Sequence, residues 1–170
     1  MSKKSSFPIS ITQVRRNHAL EHATMNILAS KKNRPMLIGY SDFGGFWVLG
    51  QVDTQELQEA IEEALARLRA GDAALAISPN CGTNFAVSGI LAGTAAWLVM
   101  LNNKLNWRKK LERLPMIATL VTLILILTRP LGPLVQERIT TLASTGTLQV
   151  VGINIYERRG IPLHRVISRQ

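Results

Sequence analysis

The sequence predicts an α+β fold: a small helix-on-sheet domain, a two-helix transmembrane hairpin, and a C-terminal β tail. Three observations carry this. Helix-like and strand-like patterns alternate between residues 13 and 80. The 21 residues Cys81–Leu101 and the 15 residues Leu114–Thr128 contain no Asp, Glu, Lys or Arg. Beyond residue 129 the chain is basic and regains strand character. The predicted organisation is an N-terminal arm (1–12), the α+β domain (13–80), a hairpin with spans at 81–101 and 114–128, and a tail (129–170) whose strands can complete the sheet.

In chain order, Thr12 is a plausible N-cap for a helix over QVRRNHALEHATMNILASKK. At 100° per residue Ala19, Leu20, Ala23 and Ile27 share one face, and Val14, His18, Glu21, His22, Met25 and Ala29 the other. Apolar residues on both faces predict a helix covered on two sides. Short strands follow around Met36–Tyr40 and Phe46–Val52, joined by a turn over Ser41–Gly45 that ends in a Gly pair. Asp53 with Glu56 resembles a capping box for a helix over Thr54–Ala70, with Leu57, Ile61, Ala64, Leu65 and Leu68 facing the core and Gly71 stopping it. Leu75–Ile77 reads as a third short strand, and LQVVGINIYE and HRVIS as further ones.

The first charge-free run is long enough to cross a bilayer core of about 30 Å. Trp97 and Trp107 stand where interfacial aromatics are expected. Gly89 and Gly93 form a GxxxG pair, predicted to let the second span, another membrane protein or another copy of the chain approach closely. That second span is short and closes at Arg129–Pro130. Charged residues make up only 18% of the chain, yet its net charge is +9. Because the basic residues flank apolar runs, anionic headgroups are the expected partner. Aromatics are scarce at 5% and no nucleic-acid-binding pattern occurs, so no nucleic-acid partner is expected. The residues before Thr12 lack the apolar core of a signal peptide, which favours a cytoplasmic N-terminal domain. The Lys104–Arg113 loop argues the opposite orientation by the positive-inside rule.

The sharpest chemical signal is His18-Ala-Leu-Glu21-His22. Histidines at i and i+4 project from one side of a helix and can share a Zn²⁺, and an adjacent Glu can take a proton from metal-bound water. The order H-x-x-E-H is that of the inverzincins. His18 and His22 are therefore candidate ligands and Glu21 the candidate base. A third ligand is expected from Cys81 or Glu63, with Glu59, Glu62 and the distant His164 weaker by position. Cys81 also precedes a helix N-terminus, which stabilises a thiolate, while Asn80, Thr83 and Asn84 are candidate caps.

NHALEHAT, GGFWVLGQVD and PNCGTN together resemble a family of bacterial membrane proteins catalogued as a domain of unknown function, over roughly residues 15–100. The resemblance implies a bacterial membrane location and supplies no activity. The H-x-x-E-H helix is also similar to that of insulysin/pitrilysin peptidases. That similarity implies His18 and His22 as zinc ligands with Glu21 as base, although those enzymes draw a third Glu from far downstream in a larger domain. The expected function is a membrane-anchored zinc hydrolase of peptidase type. The alternative is a non-catalytic accessory or assembly subunit of a membrane complex.

Overall fold

The structure, a computed structural model, describes residues 9–30, 37–101 and 107–170. It is a mixed helix-and-sheet protein whose chain divides into two units. One comprises the residues up to Ser78 together with Glu137–Gln170, the other Pro79–Gln136.

In the first unit, α1 (Ile9–Ser30) packs against the hairpin β1 (Ile38–Asp42) and β2 (Gly45–Leu49) and against α2 (Thr54–Arg69). The strands β3 (Gln149–Arg158) and β4 (Ile161–Arg169) complete one antiparallel sheet in the order β1-β2-β4-β3. The strands expected beyond residue 129 thus complete the sheet, and β4 is a central strand, flanked by β2 and β3.

The core explains why these segments fold as they do. On α1, Ala19, Leu20, Ala23, Ile27 and Leu28 are buried, and so are Glu21 and His22 on its other side. The helix is covered on two sides, as its pattern requires. On α2 the stripe Leu57, Ala60, Ile61, Ala64 and Leu68 meets it, while Phe46, Val48 and Val166 come from the sheet. Asp53 caps α2, its side chain accepting from the amides of Gln55 and Glu56. Gly71, at φ 97°, ends α2 in a Schellman arrangement, with Asp72 N–H donating to Arg67 O and Gly71 N–H to Leu68 O. The β3–β4 connection is a two-residue turn, Arg159-Gly160, with positive φ at both residues, the hand that matches strand twist.

Four expectations need correction. Thr12 lies inside α1 and is buried, so it is not the N-cap, and the end of the expected 1–12 arm is helical from Ile9; residues 1–8 lie outside the described residues. The expected strand at Met36–Tyr40 is displaced to Ile38–Asp42, with Met36 outside the described residues. Leu75–Ile77 is not a strand, because Ala73–Ala76 winds into a 3-10 turn. Its carbonyls are taken by side chains of α1 and never meet a sheet edge.

In the second unit, α3 (Gly82–Met100) is one helix long and apolar enough to cross a membrane. The helix α4 (Trp107–Glu112) leads into α5 (Leu114–Leu127), and α6 (Leu131–Val135) follows. The second apolar stretch is broken: α5 and the helix beginning at Leu131 are bent by 54°, and only taken together are they long and apolar enough to cross a membrane. The break falls at Arg129-Pro130, where proline removes an amide donor. Helices α3 and α5 pack together, with Ala92 and Ile117 buried, Thr128 Oγ1 donating to Ser88 Oγ at 3.0 Å, and Arg113 donating to Val99 O at 3.0 Å. The expected Gly89/Gly93 seam takes no part in this. A Cβ built on either glycine meets nothing within 4 Å. The helix uses the Ser88/Ala92 stripe instead. Part of the basic loop, residues 102–106 including Lys104, lies outside the described residues.

Candidate metal centre

The site grows from α1. Positions 18 and 22 lie one turn apart, and the two imidazoles stack obliquely with centroids 4.2 Å apart and planes at 60°. Each ring is held by a backbone carbonyl from elsewhere in the first unit. His18 Nδ1 lies 3.0 Å from Thr140 O, and His22 Nδ1 lies 2.8 Å from Ala76 O. A carbonyl only accepts, so both bonds place the ring proton on Nδ1 and the lone pair on Nε2. This is the tautomer a metal-bound histidine adopts when a carbonyl orients it.

Those carbonyls are themselves strapped down by residues of the same helix. The buried Arg15 guanidinium donates to Arg138 O at 3.0 Å and to Thr141 O at 2.9 Å, and Leu142 N–H donates back to Arg15 O. Thr140 is thereby fixed over His18. In the same way Asn26 Nδ2 donates to Leu75 O at 3.1 Å and Ile77 O at 2.9 Å, fixing Ala76 over His22. Arg15 sits three residues before His18, and Asn26 four after His22. One face of α1 therefore carries both imidazoles and the side chains that orient them.

Glu21 points elsewhere. It is buried, and Ser41 Oγ of β1 donates to its Oε2 in a short hydrogen bond of 2.5 Å. Gly39 of the same strand leaves the room it occupies: a Cβ there would stand 2.1 Å from Glu21 Oε1. The carboxylate thus faces the sheet, whereas the imidazoles take their bonds from the 3-10 turn and from Thr140.

The remaining sequence candidates of the first unit lie on elements other than α1. Glu63 is on the exposed side of α2, its Oε1 3.5 Å from Arg67. Glu59 accepts from Gln55 and Glu62 from Gln58 along the same exposed face. His164 is buried on β4, its Nε2 3.1 Å from Thr54 Oγ1 and its Nδ1 without a hydrogen-bond partner. Burial pushes its pKa below the usual 6.5, with nearby Asp53 opposing. In the second unit Cys81 is the N-cap of α3, its sulfur accepting from Thr83 N–H at 3.4 Å. Asn84 there donates to Pro79 O and accepts from Gln136 Nε2.

The residues that motif reading misses are Arg15, Asn26 and Ser41. Of these, only Asn26 left a trace in sequence, as a polar residue four positions beyond a histidine of the motif.

Residues 13–153 match the family described as a domain of unknown function, DUF6391, and the chain belongs to that family. It is also similar to an uncharacterized protein of Picosynechococcus sp. strain PCC 7002, at 40% identity over 99 residues, covering 51% of this chain and 48% of that protein. The chain therefore spans about half the length of the curated relative it matches. No solved structure matches.

Proposed function

We propose that this is a bacterial integral membrane protein, anchored by α3 and the broken second apolar stretch, whose first unit lies in the cytoplasm and binds Zn²⁺ through His18 and His22. The observation that carries the metal reading is the pair of Nδ1–carbonyl bonds, which directs both Nε2 lone pairs to ligation. Neutral imidazoles suit zinc, which in protein sites takes nitrogen and sulfur donors. Of the two third ligands that the sequence nominates, Cys81 offers the softer donor and follows Ala76 by five residues of chain. Glu63 already has Arg67 as a counter-charge.

A second reading, hydrolysis by a metallopeptidase-like mechanism, is favoured by the order His-x-x-Glu-His. In it, zinc lowers the pKa of a bound water and Glu21 takes the proton. The Ser41 hydrogen bond weighs against this, since it already occupies the carboxylate. The alternative without metal is a membrane accessory subunit that docks a partner or a second copy through Gly89 and Gly93.

The test is metal content of the detergent-purified chain by elemental mass spectrometry. About one zinc per chain is expected, lost in a His18→Ala/His22→Ala variant. Loss in Cys81→Ser but not in Glu63→Gln would identify the third ligand. Absence of metal after added Zn²⁺, in protein never exposed to chelator, sinks both zinc readings and leaves the accessory subunit. Retained zinc with peptide cleavage abolished in Glu21→Gln would favour the hydrolase.

A further inference from the structure

The sheet has two unlike faces. Phe46, Val48 and Val166 point toward the helices and are buried. Residues of the opposite parity make the other face. The register sets Tyr40 beside Trp47 and Trp47 beside Arg165, with Ile38 and Tyr156 in the adjoining row and Arg158 two residues beyond Tyr156. Among the described residues nothing covers this face: Tyr40 is 65% exposed, Ile38 60% and Tyr156 49%. Trp47 stacks obliquely on Tyr156 with centroids 5.6 Å apart. The Arg165 guanidinium lies 5.0 Å from the centre of the Trp47 ring and 2.6 Å from Asp42 Oδ1.

The chemistry of this face fits one kind of surface. Tryptophan and tyrosine rings, apolar in body and polar at one end, favour the headgroup level of a bilayer, and arginine stems reach past apolar surface to place charge among phosphates. The charge is complementary too: Arg158 and Arg159 are exposed at the β3–β4 turn, in a chain of net charge +9. The chain also joins this unit at both ends, after Ser78 and before Glu137, to the segment that contains α3. On the membrane reading above, on which this inference rests, that double tether gives headgroups a high local concentration that a protein from solution lacks.

We infer that the outer face of the β-sheet is a peripheral lipid-binding surface that rests on anionic phospholipid headgroups. The test uses the full chain with Trp97→Phe and Trp107→Phe, leaving Trp47 as the only tryptophan. It is reconstituted in phosphatidylcholine vesicles with and without phosphatidylglycerol. With the anionic lipid, Trp47 emission shifts to the blue and is quenched by lipids brominated near the headgroup. Arg158→Gln, alone and with Arg159→Gln, moves this docking back by about fivefold per arginine. Unchanged emission in both vesicles, equally open to acrylamide, while the chain resists alkaline carbonate extraction, overturns the inference and leaves the membrane reading intact. Release of the chain by carbonate overturns both. Efficient Tyr40→Cys crosslinking between chains in a Cys81→Ser background overturns it as well, because the face then meets a second copy.

Discussion

Replacing His164 removes a pH dependence that the fold imposes on itself. Its ring is 2% exposed between β2 and β3, opposite Val48 and Ile155, with Nε2 on Thr54 and Nδ1 unpaired. Charging it in that setting costs desolvation, so the folded chain takes up this proton at lower pH than the unfolded chain, whose histidine titrates near 6.5. Between those two values the unfolded state binds more protons, and stability falls as pH falls. The slope approaches about 1.4 kcal/mol per pH unit and levels off below the folded pKa. Because the slope is only half developed at pH 6.5, a drop to pH 5.5 costs at most about 1 kcal/mol, and at a Tm sensitivity of about 4 °C per kcal/mol it lowers the melting temperature by up to about 4 °C through this group alone. The assay is thermal unfolding of the full chain in detergent across pH 8 to 5, read by Trp47 emission with Trp97 and Trp107 replaced by Phe. The comparison is with His164→Gln, which retains a group to bond Thr54. Groups common to both proteins drop out of the difference. Two parallel curves would refute the reasoning, whatever their offset, because the offset reports packing and only the slope reports the proton.

Two further predictions follow from element ends and helix faces. Asp53→Ala removes the acceptor for the first amides of α2 and lowers stability by about 1 kcal/mol, read as a shift in chemical unfolding midpoint with unchanged slope. In the second unit, Ala92→Leu overfills the α3–α5 contact, whereas Gly93→Leu projects into open space. Cysteine pairs placed across α3 and α5 will lose crosslinking in the first variant and keep it in the second, and the reverse pattern would restore the GxxxG seam.

What the sequence made legible is what local chemistry dictates. The stripe on α2, its Asp53 cap and its Gly71 stop are one-dimensional signals, and so is the glycine-bearing turn of the β1–β2 hairpin. The doubly covered α1 was legible for the same reason, since apolar residues on both faces leave no side for water. Where tertiary demand decided, the reading slipped. Leu75–Ile77 has strand composition, but Asn26 and His22 claim its carbonyls, and a three-residue segment so held cannot also pair with a sheet. Gly89 and Gly93 have the spacing for close packing, yet Ser88 finds Thr128 one position away, and that bond fixes a different stripe of α3 against α5.

The histidine site divides along the same line. That His18 and His22 share a side of α1 follows from spacing alone; that each ring presents Nε2 does not, because the carbonyls responsible come from Ala76 and Thr140, 54 and 122 residues away. Glu21 is the instructive case. The motif groups it with the histidines, but at 100° per residue position 21 stands well around the helix from position 22, and Ser41 and Gly39 receive it there. A motif therefore reports which residues share a helix, whereas the role of each depends on the element it faces. In this chain the histidines face carbonyls that set a tautomer, and the glutamate faces a strand that fixes its oxygen. Arg15 and Asn26, absent from any motif, hold the geometry of both rings.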